Sequence, residues 1–454
     1  MRKFFRRQFW LISAFLKRYY QIIVGSIIFS ILAGLMLNSY IKKLPQRQSE
    51  IRIGLIGQYT PQALPNLVKN ILNSGLTKIG PNQTVSPNLA EKWETTDGGK
   101  TYIFSLKKDL LWSDGSPLKT SDITLDIPDV NITFPSENQI TFVLPQTFSP
   151  FPSALTNPIT NKAGLTISAF KVSLTQNSNG LLTKIKLQSK DQTIDVRIFS
   201  SSNQALTSFK LGELDAIYNY PKIDNPDLTE YGKIHESNNY RQAVALFFNN
   251  QDPLLKDKSL RQGIAYAIKD KTFGSDRAIG PISRTSWAFN PLVKLYDFDA
   301  AKATSLIRTS LPDKAQTLNL ELATIPQYLS TAEKIKKDLD PNLINLNIKV
   351  VTSKPESYQL FLTLFEIPAD PDQYVFWHSS HGTNNISHAN NERLDKGLED
   401  GRRTDDLTAR KQIYKDFQRT FDEELPALFL FYPRYYNLAR REAIFDIIKP
   451  ETAL

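Results

Sequence analysis

Hydrophobic positions recur along this chain with two periods, and the switches between them outline its elements. IRIGLIG (51–57) is an apolar run closed by glycine, the pattern of a buried strand. In LPNLVKNILNSGL (64–76), Leu64, Leu67, Val68, Ile71 and Leu72 share one helical face and Gly75 signals the stop. Tyr102, Phe104 and Leu106 alternate as in a half-buried strand, with a turn at Asp114-Gly115. QITFVLP (139–145), KIKLQS (184–189) and TIDVRIFS (193–200) predict further short strands. SNQALTSFKLGELDAIYNY (202–220) reads as a helix stopped by Gly212, then a strand.

The second half alternates more regularly. LRQGIAYAIKDK (260–271) is helical, and DFDAAKATSLIRTSL (297–311) is a helix opening at an acidic cap. TLNLELATI, STAEKIKKDL and NLNIKVVTS form a strand–helix–strand unit, which predicts a parallel pair. Two helices follow, the second with Ile413, Phe417 and Phe421 in one stripe, and ALFLFYPRYYNLA (427–439) returns as a strand. Strands and helices mixed in this way over about 400 residues predict an α/β body with at least two lobes.

The N-terminus differs. Residues 19–40, YYQIIVGSIIFSILAGLMLNSY, carry no charge, and about 20 apolar residues suffice to cross a bilayer as a helix. Six Lys/Arg residues precede the run and three follow, so the N-terminus is expected in the cytoplasm and the body outside the cell, extracellular or periplasmic. The long basic leader and the poor cleavage site in GLMLNSY favour an uncleaved single-pass anchor over a removed signal peptide. The expected organisation is a basic cytoplasmic segment (1–18), a transmembrane anchor (19–41), a linker (42–50), lobe I (51–245, with 425–454 returning to it) and lobe II (246–424).

Charge and composition narrow the function. The net charge is +9, but residues 1–50 hold nine Lys/Arg against Glu50 alone, so the other 404 residues carry a net +1. The body therefore shows no electrostatic footprint for nucleic acid. Cysteine is absent, which excludes disulfides, thiol catalysis, Cys-ligated zinc and a lipoprotein anchor. No cofactor-binding motif appears.

Six stretches, in order, carry a resemblance: VSPNLAEKWETTDGGKTYIFSLKKDLLWSDGSPLKTSDI (85–123), SFKLGELDAI (208–217), FFNNQDPLLKDKSLRQGIAYAIKDK (247–271), YDFDAAKATSLI (296–307), DPDQYVFWHSS (370–380) and the run 393–432. Together they resemble the extracellular solute-binding proteins of family 5, the oligopeptide/dipeptide/nickel class of ABC-importer capture subunits. The resemblance implies a two-lobed periplasmic-binding-protein-like fold (class II type) that closes on its ligand. It also implies a binding rather than catalytic role, a peptide or similar solute as ligand, and an ABC permease with cytoplasmic ATPases as partner. A membrane-tethered sensor and a nickel or metallophore carrier are the alternatives on the same fold. Two departures stand out. The stretch after Asp122 is too short for the family's helix-containing insertion, so a reduced accessory subdomain is expected. Ile367 stands where peptide binders of the family carry an aspartate for the ligand's α-ammonium, with Glu366 adjacent as a substitute.

The segment EIPADPDQYVFWHSS (366–380) concentrates the candidate chemistry. Glu366, Asp370 and Asp372 are candidates for attracting an ammonium or orienting a backbone N–H, and Tyr374, Trp377 and His378 for lining a cleft. Tyr374 and Phe376 fit a core role equally well. Gln58 and Tyr59 are the expected second wall. Asn249 is a candidate on the hinge side, and a strand-end cap is the equal alternative. His378, His381 and His388 are the only clustered imidazoles, but they lack helical i, i+4 spacing, and no metal site is expected.

Overall fold

A computed structural model of the chain describes residues 17–22, 25, 26, 30, 49–125, 127–221, 226–311, 316–382 and 384–448. The chain divides into two units, residues 1–49 with 190–192 and residues 50–189 with 193–454. In the first, residues 17–22, 25, 26 and 30 are helical. Most of the expected anchor (19–41) and linker (42–50) lies outside the described residues, as does nearly all of segment 1–18. No helix among the described residues is long and apolar enough to cross a membrane.

The second unit is built on two large sheets. The five-stranded one runs Ile344–Val350, Leu318–Thr324, Leu360–Glu366, Gln242–Phe248, Ala427–Phe431. Its Gln242–Phe248 strand shows why it is central. Val244, Leu246 and Phe248 enter one core, while Ala243, Ala245 and Phe247 enter another. Alternate side chains point to opposite faces, so a strand covered on both sides must be apolar at nearly every position. One face packs on helices Lys258–Ala267, Ala300–Thr309 and Leu329–Leu339 through Leu260, Ile264, Ile307 and Ile335. The other packs on helices Glu392–Arg403 and Leu407–Glu424 through Leu394, Leu398, Phe417 and Phe421. The strand–helix–strand unit forms the expected parallel pair, Leu318 opposite Ile344, and Asp299 caps its helix by accepting from the Lys302 N–H at 2.9 Å.

The seven-stranded sheet runs Lys171–Gln176, Leu182–Gln188, Gln192–Phe199, Ser49–Ile56, Ala216–Tyr220, Arg434–Ala439, Lys233–Asn238. A four-stranded antiparallel sheet, Ala90–Thr95, Thr101–Leu106, Gln139–Val143, Asn131–Ser136, has its own core around Tyr102, Phe104, Ile140 and Phe142. Among the described residues between 96 and 170 the helices are the four-residue Phe151–Ala154 and a 3-10 turn at Thr120–Asp122.

Two expectations are corrected. The helix Asn66–Leu72 stops at Asn73, not Gly75. Asn73 takes φ 42° and its N–H bonds back to the Lys69 carbonyl, a left-handed cap that asparagine tolerates. Gly75 answers a different demand, because a Cβ there would lie 2.6 Å from the Thr156 carbonyl oxygen. Second, 427–439 is two strands in different sheets, Ala427–Phe431 and Arg434–Ala439. Pro433, with no N–H to give a ladder, sits at the break.

That break is half of a junction. The chain also leaves the seven-stranded sheet after Lys233–Asn238 and enters the five-stranded one at Gln242. The crossings at 239–241 and 432–433 are bonded to each other, Asn239 N–H to the Pro433 carbonyl at 3.0 Å. Gln242–Ala245 and Ala427–Phe431 pair within the five-stranded sheet.

Candidate functional site

The parallel strands of both sheets end near these crossings. In open α/β sheets ligands bind outside the carboxyl ends of the strands. Ser49–Ile56 runs out into Gly57, Gln58 and Tyr59. Gly57 has φ 142°, and a Cβ on it would lie 3.0 Å from the Tyr59 ring. Gln58 is exposed, and Tyr59 is half-buried against the core of the seven-stranded sheet. Leu360–Glu366 ends at Glu366, whose carboxylate accepts from the Gln242 amide. The Tyr435 hydroxyl donates to the same Gln242 at 2.7 Å. Burial raises the Tyr435 phenol pKa, and the nearby Glu366 and Tyr59 add to the rise. Tyr328, buried and with no hydrogen-bond partner for its hydroxyl among the described residues, is raised by burial, Tyr435 and Glu366. Tyr59 and Glu366 thus both act on the Tyr435 hydroxyl, with Gln242 bonded to Glu366 and to Tyr435.

Beside this cluster lies a cleft of about 480 Å³. One wall is the stretch from Asn66 to Ile79, including Lys69, Asn73, Gly75 and Lys78; the other is Pro368, Ala369, Asp370 and Asp372; Arg241 of the crossing lines it too. Both aspartates are engaged. Asp370 takes a forked pair of bonds from Arg410, 2.9 and 2.5 Å long, and the two side chains are 10% and 6% exposed. Burial opposes the Arg410 charge, yet Asp370 holds its pKa above the usual value. Asp372 takes bonds of 3.1 and 2.8 Å from Arg402. Paired this way, the two carboxylates fix the 368–372 loop to the helices behind it.

The aromatic part of the segment faces inward. Trp377 is 1% exposed, stacks on Phe247 at 5.8 Å and donates its indole N–H to Gln373 at 2.7 Å. It has no surface to offer a solute in this conformation. The Tyr374 ring carries His378 stacked at 4.1 Å and the Arg402 guanidinium at 4.1 Å. His378 is buried. Its Nδ1 accepts from the Ser380 N–H at 3.1 Å, and Nε2 faces Glu399 at 3.3 Å. Asn249 does not join the others. It follows Phe248, at the opposite end of the strand from Gln242, roughly 20 Å away at ordinary strand rise, and its amide donates to the Tyr358 carbonyl at 2.8 Å. Among the described residues no three His, Cys, Asp or Glu side chains are grouped to hold a metal ion.

Further contacts join residues 82, 83 and 149 to segments packed on the five-stranded sheet. Ser149 N–H donates to the Arg402 carbonyl at 2.9 Å, and Trp287 N–H to the Asn82 carbonyl at 2.9 Å. The Gln83 amide meets the Thr285 hydroxyl at 2.8 Å. Sequence reasoning missed Lys69, Lys78, Arg241, Tyr328 and Tyr435. No motif marks them. For Arg241 and Tyr435 the available signals were the start of the apolar strand at Gln242 and the break at Pro433.

Two sheets joined by adjacent crossings, with a cleft at the junction, form a mixed α/β architecture of the periplasmic-binding-protein kind. Residues 84–127 and 188–387 match the family described as bacterial extracellular solute-binding proteins, family 5 (middle region), and the chain belongs to that family. It is 21% identical to the oligopeptide-binding protein AppA of Bacillus subtilis, over 86% of this chain and 87% of the relative. It is 23% identical to the dipeptide-binding protein of Escherichia coli, over 82% and 85%. Among solved structures, NikZ from Campylobacter jejuni in complex with Ni(L-His) superposes with a TM-score of 0.70 at 20% identity, covering 87% of this chain and 94% of NikZ.

Proposed function

We propose that this protein is the substrate-binding component of an ABC importer, capturing a short peptide or similar solute outside the cell and passing it to a permease without chemistry. The cleft beside the paired crossings carries this reading, since a junction of two short segments is where hinge closure on a ligand is least costly. The two large sheets act as the lobes, hinged at 239–241 and 432–433. The four-stranded sheet is a reduced accessory subdomain, supported by the shortness of the helices there. Gln58, Tyr59 and Glu366 contact the solute, Glu366 being the partner for a ligand ammonium. Asp370, Asp372, Tyr374, Trp377 and His378 support the wall from behind. The uncharged run 19–40 with its basic flanks supports a membrane anchor.

The relatives' ligands supply the competing arms of a test. The full chain in detergent is heated with an equimolar pool of tripeptides or with the nickel–histidine complex. The expected result is a higher melting temperature with the pool, since ligand at about 100 times its dissociation constant stabilises by about 2.7 kcal/mol. A shift with the nickel complex and none with peptides replaces the peptide reading by metal-complex capture.

A further inference from the structure

We propose that Gln83 and Ser149 are positioning residues that latch the two bodies closed over the cleft, so that affinity for the solute is set in part by groups that do not line it. This rests on the binding-protein reading and names what stabilises its closed state. The crossings divide the described chain into residues 49–238 with 434–448 on one side and 242–431 on the other. Among the described residues, the hydrophobic clusters built from 243–432 and those built from 51–228 and 438–448 share no member. Bodies with separate cores move against each other without breaking either. Away from the crossings, polar contacts at two points join them. At the first, Gln83 lies in the turn between Thr77–Ile79 and Val85–Pro87. Its amide donates to the Thr285 hydroxyl at 2.8 Å, and the Trp287 N–H donates to the Asn82 carbonyl at 2.9 Å. Gln83 takes φ 58°, a left-handed conformation that a glutamine keeps where its surroundings over-determine it. It is 5% exposed, although polar and in a turn. At the second point, Ser149 gives both its N–H, at 2.9 Å, and its hydroxyl, at 3.0 Å, to the Arg402 carbonyl. The Arg402 guanidinium pairs with Asp372 and lies 5.1 Å from the centre of the Phe148 ring. Phe148 and Asp372, from different bodies, both line the cleft, so this contact reaches across it. Gln83, Ser149 and Thr285 do not line it. They act on affinity through the fraction of chains already closed, by which the intrinsic affinity is scaled.

The experiment uses the full chain in detergent with spin labels on Lys92→Cys and Lys396→Cys, an exposed position on each body, and reads their separation by pulsed electron resonance. Without peptide, the labelled parent is expected to show a short component within its distribution. Gln83→Ala/Ser149→Ala is expected to lower the ratio of short to long separations about tenfold, while the melting temperature is kept. Thr285→Val breaks the first contact from the other body. It is expected to move the ratio the same way, and it decides the matter should the double variant not fold. With the equimolar pool of tripeptides, the double variant is expected to need about tenfold more peptide than the parent to bring half of the chains to the short separation. A ratio that neither variant changes overturns the proposal, and so does a parent with no short component in the absence of peptide. A pool that leaves every distribution unchanged, while the variants still lower the short component, fails the peptide reading and upholds the latch.

Discussion

Replacing Asp370 with alanine is expected to lower the unfolding free energy by about 3–5 kcal/mol, the cost of stranding one partner of a buried ion pair. Arg410 is almost fully buried, its Nε donates to the Gly401 carbonyl at 2.8 Å, and both terminal nitrogens are given to Asp370. Without that carboxylate the guanidinium keeps, among the described residues, only the Gly401 carbonyl and the Tyr414 hydroxyl, the latter at 3.4 Å. Adding Arg410→Met to Asp370→Ala is expected to recover most of the loss, because an apolar pair of similar volume needs no partner. Asp372→Ala is the internal control. Arg402 is 19% exposed, reaches solvent, and loses about 1 kcal/mol. Urea unfolding of the four proteins measures all of this. Equal losses for Asp370→Ala and Asp372→Ala would mean that the first pair is as wet as the second.

Arg261→Leu is expected to cost about 3 kcal/mol or more, and Arg261→Lys to rescue little of it. Arg261 is buried, and it donates to four carbonyls: Leu255 at 2.7 Å, Lys256 at 3.0 Å, Glu424 at 2.6 Å and Leu425 at 3.1 Å. Two of these end the long helix Leu407–Glu424, whose last carbonyls lack helical partners. Each buried carbonyl left unmet costs about 1–3 kcal/mol. Lysine's ammonium radiates its donors from one atom and cannot span the four oxygens. The same urea series reads the result; a lysine variant as stable as the parent would show that charge, not the planar fork, holds the helix end.

How much of this was legible in the residues depends on range. Contacts between neighbours in sequence left clear marks. Asp299 before an apolar helix is its cap, and the strand–helix–strand at 317–353 is a parallel pair because a helix lies between. The acids of 366–372 were equally visible, but their partners were not, since Arg402 and Arg410 lie 30 and 40 positions further on. A carboxylate read alone looks available to a ligand; a carboxylate already held by an arginine does not. Trp377 was ambiguous for a related reason. An aromatic in a polar stretch suits a groove or a core, and the choice is made by Phe247 and Phe421, which come from distant segments. Pro433 was the one local sign of the sheet-to-sheet crossing, and the unbroken apolar run around it hid that sign. Lys69 and Lys78 come together only because a helix and a short strand fold back beside the cleft.

Capture by closure is tested most directly by measuring a distance across the cleft. The chain has no cysteine, so Lys92→Cys and Lys396→Cys place the only two thiols on exposed positions of the four-stranded sheet and of the helix Glu392–Arg403. Spin labels on both report their separation in the full chain by pulsed electron resonance, with and without the tripeptide pool. The account predicts a broad distribution of separations without peptide that narrows and shortens with it. A pool that raises the melting temperature yet leaves the distribution unchanged would contradict it.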